Sequence, residues 1–252
     1  MIELSIDGQK VEVEEGTSVL DATRKAGVFV PTLCNQRDLS PFGGCRMCTV
    51  EIEGVRGFPT SCTTPAEQGM VVRTDTEEIS ALRKGVLELM LSEHPSSCLV
   101  CEDRNGCWEA HECTGRAEVT TGCKFCPNNR RCELQYVVER VFGEEDPVIG
   151  VETRYRAIPV DRRDPFIDRD DNLCILCGRC VRACAEQSLS NTLDFMHRGG
   201  EARVGTAFNR TLKDSGCRFC GSCVDACPTG TLAERVRRWE GPAQKRERTT
   251  CS

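Results

Sequence analysis

Two runs of four cysteines constrain this chain more than any other feature. Cys174, Cys177, Cys180 and Cys184 follow a C-x2-C-x2-C-x3-C spacing, and Cys217, Cys220, Cys223 and Cys227 repeat it, with Pro228 next. Three thiolates in a tight loop suit three corners of a 4Fe–4S cube. In paired runs of this kind each run lends its fourth cysteine to the other cluster. The spacing therefore predicts one cubane on Cys174, Cys177, Cys180 and Cys227 and a second on Cys184, Cys217, Cys220 and Cys223. Gly178, Gly221 and the small Ser222 leave backbone amides free to approach the sulfides. Structural zinc is the alternative, but it favours paired C-x2-C knuckles over three evenly spaced cysteines and a distant fourth.

Composition narrows what the remaining cysteines can be. Twenty cysteines in 252 residues, with only 5% aromatic and 39% hydrophobic residues, predict little conventional apolar core, so something besides burial must hold the chain together. Disulfides of a secreted protein are not expected, because MIELSIDGQKVEVEEG opens the chain without a basic-then-apolar signal segment. A reduced, cytoplasmic protein is expected. No run of 18 apolar residues occurs, which predicts no membrane span. A net charge of -6 argues against nucleic acid as the main partner.

The chain divides by cysteine rhythm into an α+β architecture. Residues 1–75 read as a β-grasp 2Fe–2S ferredoxin domain. There ELSI and KVEVEE alternate around Asp7-Gly8, a strong hairpin signal, and Thr17 or Ser18 can cap a helix through Lys25 that ends at Gly27. Short strands are expected at Thr49 to Ile52 and Met70 to Arg73. Residues 76–112 begin with a helix, on which Ile79, Leu82, Val86, Leu87, Met90 and Leu91 recur at helical spacing. It delivers His94 to a helical His/Cys cluster segment. Residues 113–164 hold an extra cysteine-rich insert and linker, in which TGCKFCPNNRRCELQ echoes SSCLVCEDRNGCWEA. Residues 165–232 form a C-terminal two-cluster ferredoxin-like domain, and 233–252 a basic tail.

Cys34, Cys45, Cys48 and Cys62 make a C-x10-C-x2-C-x13-C set. Plant-type 2Fe–2S proteins share its C-x2-C core and distant fourth ligand with a shorter first gap, so a 2Fe–2S cluster is expected here, with zinc as the alternative. In the next segment Cys98, Cys101 and Cys107 lack a fourth thiolate, and His94 stands four residues ahead of them at a helix end. A lone histidine before a proline is usually a surface residue. As a ligand, its imidazole would remove negative charge from a cluster and raise its potential.

The order of these motifs, a 2Fe–2S spacing followed by HPSSCLVC, CILCGRCVRAC and FCGSCVDACPTGTL, resembles the N-terminal region of the large iron–sulfur subunit of respiratory complex I. It resembles more closely the small iron–sulfur subunit of NAD-linked hydrogenases and related formate dehydrogenases. The likeness spans about residues 1 to 235. It implies that His94, Cys98, Cys101 and Cys107 hold a histidine-ligated 4Fe–4S cluster. Complex I usually keeps one cluster in the last domain, so the eight cysteines here favour the hydrogenase-like branch.

The third segment departs from that pattern. Cys123, Cys126 and Cys132 repeat the preceding C-x2-C-x5-C, but Val119 occupies the place of the histidine. Cys113 is the best fourth ligand and His111 a poorer one. A 4Fe–4S cluster is expected, with a structural zinc as the alternative. The expected inventory is one 2Fe–2S and four 4Fe–4S clusters, one of the four open to zinc, and Cys251 is left as a free thiol.

No G-x-G-x-x-G, G-x-x-x-x-G-K-[ST] or C-x3-C-x2-C motif is present, and only 25 residues follow Cys227. Nucleotide and substrate chemistry is therefore expected on partners, and the chain itself is expected to be a non-catalytic electron-transfer subunit. The resemblance implies a flavin- and NAD(P)-binding subunit on one side and a catalytic hydrogenase or formate dehydrogenase subunit on the other. Ferredoxin is a further partner if the assembly bifurcates its electrons. A free polyferredoxin and a zinc-braced scaffold are the competing classes. Arg235, Arg237, Arg238, Lys245, Arg246 and Arg248 make the tail basic, and a solvated tail is the simpler reading than a partner clasp.

Overall fold

The computed structural model describes residues 1–95, 123, 126–143, 150–152 and 156–235. Cys98, Cys101, Cys107, His111, Cys113, Val119, Cys251 and the tail beyond Arg235 lie outside the described residues.

Strands β1 (Ile2–Ile6) and β2 (Gln9–Val13) pair antiparallel with Ile6 opposite Gln9. The turn between them is the expected one, with Asp7 at φ 49° and Gly8 at φ 83°, as a type I′ hairpin requires. Alternation then turns Leu4, Ile6, Val11 and Val13 to one buried face. Helix α1 (Val19–Lys25) starts at Ser18, whose hydroxyl accepts from the Asp21 amide. Strands β3 (Glu51–Ile52) and β4 (Val71–Arg73) are shorter than expected. They complete a sheet of order β2-β1-β4-β3, with β4 parallel to β1. This hairpin, helix and returning strand form the β-grasp arrangement.

Its core of Leu4, Ile6, Val11, Val13, Val19, Ala22, Val50, Ile52, Ala66 and Val72 contains no cysteine. Composition averaged over the whole chain predicted little apolar core, and in this domain the expectation fails. The apolar residues here are concentrated on one sheet face and one helix face.

Helix α2 (Glu77–Glu93) is capped by Thr76 and ends at His94. Its buried stripe is Ile79, Arg83, Leu87 and Leu91, an i, i+4 series, while Leu82 is 41% exposed. Of the expected apolar stripe only Leu82 turns outward, since Val86 and Met90 pack against the core and the buried Arg83 joins the inner face. Helix α3 (Glu133–Phe142) begins directly after Cys132 and buries Leu134, Val137 and Val138. These pack with Leu87 and Leu91 of α2 in one core that also holds Leu33, Met47, Cys34, Cys45, Cys123, Cys132 and Cys177. Segments that the sequence separates therefore share an interior.

The C-terminal domain contains helices α4 (Arg179–Arg182) and α5 (Ser222–Asp225), each preceded by a left-handed glycine, Gly178 at φ 69° and Gly221 at φ 83°. A side chain at either position would be strained. Four short strands, β5 (Ile167–Arg169), β6 (Asp194–Met196), β7 (Arg203–Gly205) and β8 (Leu232–Glu234), form two antiparallel pairs, β5 with β8 and β6 with β7. The core is built largely from six of the domain's cysteines with Ile167, Leu193, Val204, Leu212 and Leu232, while Cys177 belongs to the preceding core and Cys220 is exposed. Strand β8 carries the domain past residue 232. Arg235, expected in the solvated tail, is tied down: its amide donates to the Phe166 carbonyl at 2.9 Å and its Nε to Asp168 at 3.2 Å.

Candidate metal centres

Cys34, Cys45, Cys48 and Cys62 are each at most 5% exposed, and their thiols neighbour one another beside the sheet. The Cys45–Cys48 loop bends at Arg46, φ 60°, and the Cys45 amide donates to Cys34 Sγ at 3.5 Å. The Ser61 hydroxyl and amide both donate to the Cys48 carbonyl, at 2.8 and 3.0 Å, which brings Cys62 alongside. The thiols also bond one another. Hydrogen bonds from Cys45 and Cys62 lower the Cys34 pKa, and a bond from Cys62 pushes Cys48 down to about 6. Cys45, bonded to Cys34, and Cys62, bonded to Cys34 and Cys48, are raised, with burial adding to both. Four sulfurs within mutual reach, shielded from water and sharing protons, form a donor set that fits a dinuclear iron centre.

Arg83 reaches this site from α2, donating Nε to the Met47 carbonyl at 3.1 Å and Nη2 to the Thr49 carbonyl at 3.0 Å. It braces the backbone on both sides of Cys48. Sequence reasoning missed it, because within an apolar helical stripe an arginine gives no signal of its own.

His94 stands at the C-terminal end of α2 as expected. Half-buried as a residue, it hides both ring nitrogens from solvent, and neither has a hydrogen-bond partner among the described residues. Burial, then the nearby Arg156 charge, pushes its pKa down to about 4. The imidazole is therefore neutral near pH 7, with a lone pair free for a metal. Buried unpaired nitrogens are costly, and ligation removes that cost. The three cysteines expected beside it lie outside the described residues.

In the third segment, Cys123, Cys126 and Cys132 form a tight loop in which the Cys126 amide donates to the Cys123 carbonyl at 3.0 Å and the Asn128 amide to Cys126 Sγ at 3.5 Å. The loop rests on the C-terminal domain. The Asn128 side chain donates to the Thr229 carbonyl at 3.2 Å and the Glu133 amide to the Pro228 carbonyl at 2.9 Å. A Cβ on Gly230 would lie 2.5 Å from Cys126 Sγ, so only glycine allows that approach. Burial pushes the Cys132 thiol up to about 11.

The C-terminal cysteines surround two hollows. One, of about 380 Å³ with its mouth included, is lined by Cys174, Cys177 and Cys180 of the first run and Cys227 of the second. The other, of about 340 Å³, is lined by Cys217, Cys220 and Cys223 of the second run and Cys184 of the first. The loops repeat each other. Leu176, φ 53°, donates its amide to Cys174 Sγ at 3.4 Å, and Phe219, φ 52°, does the same to Cys217 Sγ at 3.3 Å. Burial pushes Cys174, Cys177 and Cys223 up to about 12. Thiolates there need compensating positive charge, which iron supplies. Among the described residues no trio of His, Cys, Asp or Glu is arranged to hold a metal ion.

Comparison with known proteins gives three matched regions. Residues 1–77 match a 2Fe-2S iron-sulfur cluster binding domain, 83–108 the NADH-ubiquinone oxidoreductase-G iron-sulfur binding region, and 164–233 the NADH-quinone oxidoreductase subunit 3, ferredoxin-like domain. The NADP-reducing hydrogenase subunit HndD of Solidesulfovibrio fructosivorans is 36% identical, over 95% of this chain and 37% of its own length. The 78 kDa subunit of mitochondrial NADH-ubiquinone oxidoreductase from Candida albicans is 32% identical, over 95% of this chain and 30% of its own. The chain is a homologue of part of these two subunits. It also shares 36% identity with the NADPH-Fe(3+) oxidoreductase subunit alpha of Geobacter sulfurreducens, over 96% of the chain and 25% of that protein. The chain thus spans between a quarter and two fifths of the length of these relatives. Its fold matches a chain from the crystal structure of an NAD+-reducing [NiFe]-hydrogenase with a TM-score of 0.74, covering 96% of this chain and 90% of that one at 24% identity. No helix among the described residues is long and apolar enough to cross a membrane.

Proposed function

We propose that this chain relays electrons within a multi-subunit NAD(P)-linked oxidoreductase, between a flavin- and NAD(P)-binding subunit and a catalytic hydrogenase subunit. The observation that carries the reading is the pair of hollows, each lined by three cysteines of one run and the fourth of the other. That exchange is the ligation expected of paired 4Fe–4S clusters. The orphaned nitrogens of His94 support a histidine-ligated cluster with Cys98, Cys101 and Cys107. The mutually bonded Cys34, Cys45, Cys48 and Cys62 support a 2Fe–2S centre.

For Cys113, Cys123, Cys126 and Cys132 we favour a fourth cubane over zinc. Cys123 and Cys132 share one core with Cys34, Cys45 and Cys177, a place where a redox centre would serve the relay. Bound clusters supply one-electron redox steps. The chain's own residues exclude water, donate N–H groups to sulfur and hold the loops in register. The likeness to the subunit HndD of an NADP-reducing hydrogenase favours hydrogen as the substrate of the whole assembly. The likeness to the 78 kDa subunit of NADH-ubiquinone oxidoreductase supports the same relay role in a complex I-like enzyme.

Metal analysis of anaerobically purified protein is expected to find roughly 18 irons per chain. Roughly 14 irons with one zinc would assign the third segment to zinc. Colourless protein containing zinc without iron would refute the relay. Recovery of the native chain without a flavoprotein partner would leave it a free polyferredoxin.

A further inference from the structure

Arg179 lies between Cys177 and Cys180, inside one cubane run, yet its side chain reaches two other cysteine loops. Nη2 donates to the carbonyl of Asn35, the residue after Cys34, at 2.8 Å. Nη1 and Nη2 also donate to Glu133 Oε1 and Oε2, at 2.6 and 2.7 Å, one residue beyond Cys132. The residue is 4% exposed, and its Nε–H is buried without a hydrogen-bond partner among the described residues. Arg182, on the same short helix, donates to the Cys34 carbonyl at 2.6 Å and to the Ser40 carbonyl. Tethering the loops would not by itself require burying a full positive charge, which forfeits hydration. Only a guanidinium fork can bind a carboxylate bidentately and still present a further donor.

The geometry points to Arg179 as a positioning residue shared by two redox centres: it fixes the Cys34 loop against the Cys177–Cys180 loop and lends both centres one buried positive charge. Its buried Nε–H is left as one donor that neither tether uses. This rests on the reading of Cys34, Cys45, Cys48 and Cys62 and of Cys174, Cys177, Cys180 and Cys227 as cluster ligands. Reduction adds one electron to a cluster, so a nearby fixed cation favours the reduced form and raises the potential.

Anaerobic redox titration of the holo-protein, followed by electron paramagnetic resonance, tests the assignment. In Arg179→Gln the 2Fe–2S signal and one 4Fe–4S signal are expected to shift together to lower potential. In Arg179→Lys, which keeps the charge and loses the fork, most of that shift is expected to be recovered. A shift of one signal only, no shift of either, or Lys leaving both as low as Gln overturns the shared charge. Where Arg179→Gln fails to assemble its clusters, Glu133→Gln decides. Removing the half-exposed counter-carboxylate should raise both potentials, and their staying at wild-type values overturns the proposal. Wild-type protein lacking the 2Fe–2S or the 4Fe–4S signal would instead defeat the ligand reading, and the proposal with it.

Discussion

At the scale of single residues, the informative side chains are those whose polar atoms are buried without an ordinary partner. His94 is one, with both ring nitrogens orphaned at the end of α2. If the imidazole completes a cluster with Cys98, Cys101 and Cys107, a thiolate in its place adds negative charge. His94→Cys should then keep the iron count and lower one 4Fe–4S potential by on the order of 100 mV. The 2Fe–2S signal should be unaltered. An unchanged set of 4Fe–4S potentials in the titrated variant would remove His94 from the ligand set. The position of His94 before three cysteines was legible in the sequence. Arg83 was not, because its role depends on the Met47 and Thr49 carbonyls about 35 residues upstream, which only folding brings to it.

At the scale of elements, α3 shows how a short helix can organise a metal loop. It begins immediately after Cys132, and Leu134, Val137 and Val138 fill the core shared with α2. Leu134 is fully buried, so Leu134→Ala should destabilise the holo-protein by about 2–5 kcal/mol through lost contacts and a residual cavity. Glu139→Ala on the exposed face should change stability by about 0.5 kcal/mol or less. Thermal loss of visible cluster absorbance under anaerobic conditions measures both. Equal midpoints for the two variants would show that α3 contributes no core packing. The helix α2 was legible from its periodicity, but the inward place of Arg83 was not, since a buried arginine reads as a polar break in an apolar stripe.

At the scale of the whole molecule, two kinds of interior sit in one chain. The β-grasp core is apolar and free of cysteine, whereas the C-terminal core is built around six cysteines. Metal binding is therefore coupled to folding unevenly along the sequence. Anaerobic removal of iron should unfold residues 165–235 while the amides of β1 and β4 keep their protection in hydrogen exchange. Retained protection across both regions in the iron-free protein would show that the thiols alone pack well enough to hold the C-terminal domain.

Sequence determined the pairing of Cys227 with the first run and Cys184 with the second as an expectation, because paired C-x2-C-x2-C-x3-C runs lend each other their fourth cysteine. It likewise determined the Asp7-Gly8 hairpin, since few dipeptides favour two successive left-handed residues. Tertiary structure alone decided that the Cys34, Cys132 and Cys177 loops share one interior, and that Arg179, Arg182 and Glu133 join them. Ligand spacing is a local property of the chain. The contact between loops about 145 residues apart depends on how α2, α3 and α4 pack, and no periodicity or motif in the sequence encodes it.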